Sequence, residues 1–260
     1  TAPTTATGAT ILLESGTVTT SGAGAHAVYA NNATGDITIS EGAAGVITTT
    51  GATADGIEIL NNGSGNTAVT TAGTITATGT GINTINNSTA GNTTISQTAG
   101  TITGGTNGIN SLNDGTGSTN ITVAGVVTGG TGAGINTSDS DTTTSPTDNF
   151  ATVTLNSGAV VSSTSGIAIQ NDEGDSLTTV NSGAAIQGKV ILGDGNDNLV
   201  INGTANISGA TLLDGGDAAN SVDLLGSTAY TNKLTFNGTT QSIAGSTMVD
   251  WQTVTLDKSN

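Results

Sequence analysis

Short apolar–polar alternations recur along the chain. Gly16-Thr17-Val18-Thr19 returns as Gly45-Val46-Ile47-Thr48, Gly73-Thr74-Ile75-Thr76, Gly100-Thr101-Ile102-Thr103 and Gly125-Val126-Val127-Thr128, with a looser copy at Gly158-Ala159-Val160-Val161. The leading glycines stand 29, 28, 27, 25 and 33 residues apart. A second series follows: Gly56-Ile57, Gly81-Ile82, Gly108-Ile109, Gly134-Ile135 and Gly166-Ile167. A third precedes each first-series glycine, as in Ile37-Thr38-Ile39, Thr94-Ile95-Ser96, Ile121-Thr122-Val123 and Val153-Thr154-Leu155. Each piece alternates β-branched aliphatics with Thr or Ser, the period of a strand with one buried face. Apolar stripes at helical spacing are absent, and the Gly, Thr and Asn load disfavours helix.

Three strand-like pieces in a repeat of about 26 residues predict an all-β fold, a right-handed parallel β-helix with three short strands per coil. Equivalent strands of successive coils would pair about 4.8 Å apart. A coil such as residues 65–90 offers four large aliphatics, Val69, Ile75, Ile82 and Ile85. That is too little burial to offset the ordering of a whole coil, so coils must stack. Two regions are expected: coils of the regular repeat over residues 1–189, and C-terminal coils of altered rhythm over 190–260.

Five residues after the second-series glycines stand Asn61, Asn86, Asn113, Asp139 and Asn171, and Val28-Tyr29-Ala30-Asn31-Asn32 ends in a similar way. Asn31, Asn61, Asn86, Asn113 and Asn171 are expected to form a structural ladder. An amide can donate to and accept from its copy in the next coil, and Asn tolerates the left-handed turn conformation. A polar binding edge is the other reading of that row. The longest interval contains an insertion, Ser138–Asn149, and insertions in solenoids project as loops from one face. Its residues Asp139, Asp141, Thr143, Pro146 and Asp148 are the candidate binding positions; a merely tolerated surface loop is the alternative.

Composition narrows the functions. Three Lys+Arg stand against 19 Asp+Glu, a net charge of -16, with no arginine and no cysteine. A nucleic-acid partner is excluded by the lack of cations to neutralise phosphates. Disulfides and thiolate metal sites are excluded as well. No apolar run is long enough for a membrane-spanning helix, and the first residues carry no signal-peptide pattern. Large aliphatics make up only about a fifth of the chain, near the disorder boundary, but their regular spacing argues for folding. The sole histidine, His26, begins a strand-like piece and is expected on the surface. No nucleophile–base or nucleotide motif occurs. Carboxylate pairs (Asp194 with Asp197, Asp214 with Asp217, Asp172 with Glu173 and Asp175) could serve glycoside hydrolysis. Without arginine or clustered aromatics, however, no enzyme is expected. Thr-x-Thr pairs would align in a row suited to ice, but Val46 and Val126 interrupt it.

The C-terminal third carries the most specific motifs. Ile191–Leu199 places Gly193, Gly195, Asp197 and Leu199 at four of the five defined positions of the calcium-binding nonapeptide. Leu212-Leu213-Asp214-Gly215-Gly216-Asp217 is a weaker copy. Asp194, Asp197, Asp214 and Asp217 are therefore the candidate calcium ligands, although the copies lie farther apart than a calcium roll needs. No other cofactor is expected.

The Gly193-Asp194-Gly195-Asn196-Asp197 block with Leu199, the Leu234-Thr235-Phe236 strand, and Trp251 followed by Val254 and Leu256 resemble the passenger domains of Gram-negative autotransporters. The specific resemblance spans about residues 190–257. It implies an adhesin-like β-helix, extracellular or at the bacterial cell surface, that continues into an outer-membrane β-barrel not contained in this sequence. The implied partners are a host-cell or matrix component, or another copy on a neighbouring cell. A β-helix enzyme acting on polysaccharide and a passive stalk are the alternatives. Trp251 is expected to fill the core near the C-terminal end.

Overall fold

A computed structural model describes residues 8–87, 91–115, 117–138, 150–216, 233–237, 246–251 and 253–257. Every regular element in it is a strand, and every strand pairing is parallel. The strands stack on three faces. The first face holds the opening halves of β1 (Gly8–Thr20) and β3 (Asp36–Thr49), then β5 (Thr67–Thr71), β8 (Thr93–Gln97), β11 (Thr119–Val123), β14 (Ala151–Leu155), β16 (Ser176–Val180), β18 (Asp197–Asn202), β20 (Lys233–Asn237) and β22 (Thr253–Asp257). The second holds the closing halves of β1 and β3, then β6 (Thr74–Ala77), β9 (Thr101–Gly104), β12 (Val126–Gly129) and the first parts of β15 (Val160–Glu173), β17 (Ala185–Asp194) and β19 (Asn206–Asp214). The third holds β2 (Val28–Asn32), β4 (Ile57–Asn61), β7 (Ile82–Asn86), β10 (Ile109–Asn113), β13 (Ile135–Ser138), the later parts of β15, β17 and β19, and β21 (Thr247–Val249). The chain is a parallel β-helix with three strands per coil, as the repeat predicts.

Side-chain parity builds the core. On the second face Val18, Ile47, Ile75, Ile102, Val127, Val161 and Ile186 pair in register, and from Ile47 onward each is fully buried. On the third, Ile57, Ile82, Ile109, Ile135, Ile169 and Val190 do the same. On the first, Ile39, Val69, Ile95, Ile121 and Val153 continue through Thr178 to Leu199 and Leu234. These columns face one another across the interior, and the first face adds a second buried column, Val123, Leu155, Val180, Ile201 and Phe236, along its later coils. Ile85 departs from the expectation. Strand β7 starts with Ile82 inward, so alternation sends Thr84 inward and leaves Ile85 half-buried on the outside, in register with Leu60 and Leu112.

Coil length varies while the stack stays continuous. Asn66 and Asn92 occupy equivalent turn positions 26 residues apart, as do Asn92 and Ser118; Ser176 and Asp197 are 21 apart. Strand β17 runs through residue 190 and pairs with β15 on one side and β19 on the other. Near the C-terminal end Trp251 packs against the core and donates its indole N–H to the Leu213 carbonyl at 2.9 Å.

Before β4, β7, β10 and β13 the backbone approaches the next coil so closely that only glycine fits. A Cβ on Gly81 would lie 2.5 Å from both the Gly108 carbonyl oxygen and Ile102 Cγ2. Gly56 and Gly108 meet the same obstruction one coil to either side. Gly81→Ala is expected to destabilise the rod by about 1–3 kcal/mol through overpacking, whereas Thr76→Ala on the outer face costs little. Urea unfolding of the two variants checks this.

Candidate functional site

The asparagines form two kinds of row, and the expected ladder is corrected in membership and in bonding. Strand register aligns Asn32, not Asn31, with Asn61, Asn86 and Asn113. Asn31 pairs with Leu60 and is exposed, because the segment ending in Asn31-Asn32 is one residue shorter than its later copies. The buried asparagines do not bond to one another. Each closes its own turn. Asn61 donates to Gly65 O at 2.7 Å and accepts the Gly63 N–H at 3.1 Å. Asn113 donates to Gly117 O at 2.6 Å and accepts the Gly115 N–H at 3.2 Å. Asn32 and Asn86 donate likewise to Gly35 O and Gly91 O. The tight corner leaves backbone groups without strand partners, and the amide supplies them. Asn171 is buried too and donates to Gly174 O, but it stands in register with Thr137, whose hydroxyl it accepts at 2.7 Å.

Amide-on-amide stacking runs along the outside. Asn62 donates to Asn31 at 2.9 Å and Asn87 to Asn62 at 3.1 Å. Asn136 donates to Asn110 at 2.9 Å, Asn110 to Asn83 at 2.8 Å, and Asn83 to the Asp55 carboxylate at 3.1 Å. A third stack joins Asn237, Asn202, Asn181 and Asn156. The outer side of the second face adds a hydroxyl row, Thr19, Thr48, Thr76, Thr103, Thr128 and Ser162, in strand register.

The insertion residues Asp139, Asp141, Thr143, Pro146 and Asp148 lie outside the described residues, as does Asp217. Of the other calcium candidates, Asp194 is half-buried and pairs with Glu173, and Asp214 accepts the Gly216 N–H at 3.0 Å. Asp197 is an interior residue. It has no solvent exposure and accepts the Ser176 hydroxyl at 2.5 Å. Alternation from Leu199 fixes this inward direction. Burial pushes its carboxyl up to about 8; hydrogen bonds from Ser176 oppose the rise, and the charges of Asp175 and Asp194 add to it.

The cluster that sequence reading missed surrounds His26. Its side chain is 23% exposed and engaged by the next coil. The Ala27 N–H donates to Asp55 O and the Val28 N–H to Gly56 O, which sets His26 beside Asp55; Tyr29 pairs with Glu58. His26 Nε2 lies 2.7 Å from Glu58 Oε2, while Nδ1 accepts the Asp55 backbone N–H at 3.1 Å and lies 3.8 Å from Asp55 Oδ2. The ring stacks on Tyr29, centroids 6.1 Å apart. One donor atom from each of His26, Asp55 and Glu58 lies within 4.8 Å of the others, so the group could hold a metal ion. Burial raises the Glu58 carboxyl above the ordinary range; the imidazole pulls it down, and the Asp55 charge pushes it further up. The coil step of 29 residues carries His26 to Asp55 and Tyr29 to Glu58, a signal present in the sequence once the register is known.

Searches of family models, of curated proteins and of solved structures each find no match to this chain.

Two outcomes follow from the buried polar groups. Asp197 holds its proton more tightly in the folded chain than its ordinary value of 3.8. Its contribution to stability is therefore complete below about pH 4 and is lost as pH rises through about 8. The thermal midpoint of the wild type should fall more steeply between those values than that of Asp197→Asn, whose amide does not titrate. Asn86→Ala leaves a buried turn carbonyl without its donor and should cost about 1–3 kcal/mol, while Asn87→Ala on the outer stack should cost much less. Chemical denaturation of both variants separates the two roles.

Proposed function

We propose that this rod is the β-helical passenger domain of a secreted autotransporter-type protein, displayed at a bacterial surface and acting as an adhesin or self-association module. The carrying observation is the exterior, where uncharged amide and hydroxyl rows repeat from coil to coil. A rigid surface of repeated donors and acceptors suits many weak polar contacts with a host-cell or matrix component, or with another copy. The parallel β-helix and the C-terminal motif block support the family assignment. In this reading the Ser138–Asn149 segment is a contact element, and the rod performs no catalytic step.

The net charge of -16 opposes contact between copies. Raising salt from about 20 mM to about 500 mM shortens the Debye length several-fold and should strengthen self-association, as should acidification toward the isoelectric point. Sedimentation velocity on the isolated rod, with adhesion of cells displaying it, reads this. Introducing like charges on the hydroxyl row, Thr76→Asp with Thr103→Asp, should weaken both without unfolding the rod. Association insensitive to salt, acid and these substitutions sinks the mechanism. Absence of any binding leaves a passive stalk.

A further inference from the structure

We propose that His26, Asp55 and Glu58 bind a divalent first-row transition-metal ion, zinc being the test ion, and that the ion clasps the coil of β2 to the coil of β4. The inference does not rest on the adhesion reading. Three donors from two successive coils converge here. Two ligands of a tetrahedral ion bonded at about 2.0–2.2 Å lie about 3.3 Å apart. Glu58 meets His26 at Nε2, 2.7 Å away, and Asp55 meets it at Nδ1, 3.8 Å away, while one donor atom from each of the three lies within 4.8 Å of the others, so the carboxylates must turn toward one shared nitrogen to close on an ion.

The surroundings hold the donors in place. Asp55 Oδ1 accepts the Thr80 N–H at 2.6 Å, and Oδ2 accepts from Asn83. The Asn136–Asn110–Asn83 chain donates in one direction, toward that carboxylate. Such outer partners fix ligand orientation, and aligned hydrogen bonds reinforce one another. Glu58 stands in register with Asn83, Asn110 and Asn136, so in the coil next to the histidine an acid takes the place that the following three coils give to an amide. Two carboxylates brought together at partly buried positions repel, and a dication neutralises both.

The donor set selects the ion. Imidazole nitrogen with carboxylate oxygen favours zinc and its neighbours over calcium or magnesium, which prefer all-oxygen sites. Nδ1 accepts the Asp55 N–H, so the neutral ring carries its proton on Nε2, toward Glu58. Coordination takes the Nδ1 lone pair, the proton stays on Nε2, and the Asp55 N–H gives up this acceptor to the metal bond. Asp55 and Glu58 each give one oxygen. Partial exposure leaves the remaining position to water or to a carboxylate or imidazole of a binding partner.

The test titrates the full chain, freed of metal with chelator, with zinc chloride near pH 7.5 by calorimetry, alongside thermal unfolding. One ion per chain and a raised unfolding midpoint are expected. His26→Asn and Glu58→Gln should each weaken binding by about tenfold or more and remove the midpoint shift. Circular dichroism confirms the fold of each variant, and the near-isosteric Glu58→Gln carries the test if His26→Asn does not fold. Zinc binding that is absent, that is unchanged in both variants, or that millimolar calcium displaces overturns the proposal.

Discussion

Everything in this molecule depends on the coil spacing of a parallel β-helix. Backbone hydrogen bonds set successive coils about 4.8 Å apart, and every side chain then has a registered neighbour above and below. The interior is filled by aliphatic columns running along each face, mostly of Ile and Val. The same spacing excludes any Cβ at Gly81, whose neighbours are the backbone and core of the next coil. A rod built this way gains little from any single coil and much from continuity, because each interior side chain is covered by the coils around it.

Stacking also explains the composition. A row of like charges at that spacing would repel along its whole length, whereas a row of amides or hydroxyls can donate one way and accept the other. The Asn136–Asn110–Asn83 stack does this. Threonine on the outer faces and asparagine at the corners follow from the same rule. Polar groups are tolerated even inside, where Thr84 lies 3.0 Å from Ser111 and the Thr71 hydroxyl donates to buried Glu41. Burial raises the Glu41 carboxyl against the opposing hydrogen bond from Thr71, and it pushes Asp197 up to about 8, where the acid is accommodated partly by keeping its proton.

The fold was legible because period-two alternation and a repeat near 26 residues are local signals that the stack preserves. Residues were misplaced wherever the exact register mattered. Ile85 looked like core because it is apolar, but parity counted from Ile82 turns it outward. Asn31 looked like a rung of the inner ladder because it is an asparagine near the right place, but a segment shorter by one residue puts Asn32 there. Asp197 looked like a surface turn ligand because it belongs to a Gly-Asp-Gly-Asn-Asp run, but the alternation of β18 buries it. His26 looked isolated because its partners are 29 and 32 residues away, a distance that only the stacked coils close.

Register therefore makes departures from a row more informative than the row itself. Repetition satisfies each side chain through its copies, so a residue that breaks chemistry with its row must be compensated by something else. Asp197 follows Thr67, Thr93, Thr119, Ala151 and Ser176 in its row, the one acid among small side chains, and the compensation is the Ser176 hydroxyl together with a retained proton. Glu58 breaks the amide row of Asn83, Asn110 and Asn136, and the compensation is the one histidine in the chain, placed one coil away. The first compensation is sealed in the core. The second opens to solvent, joins two coils and presents nitrogen and oxygen donors together, a combination that the amide rows do not offer.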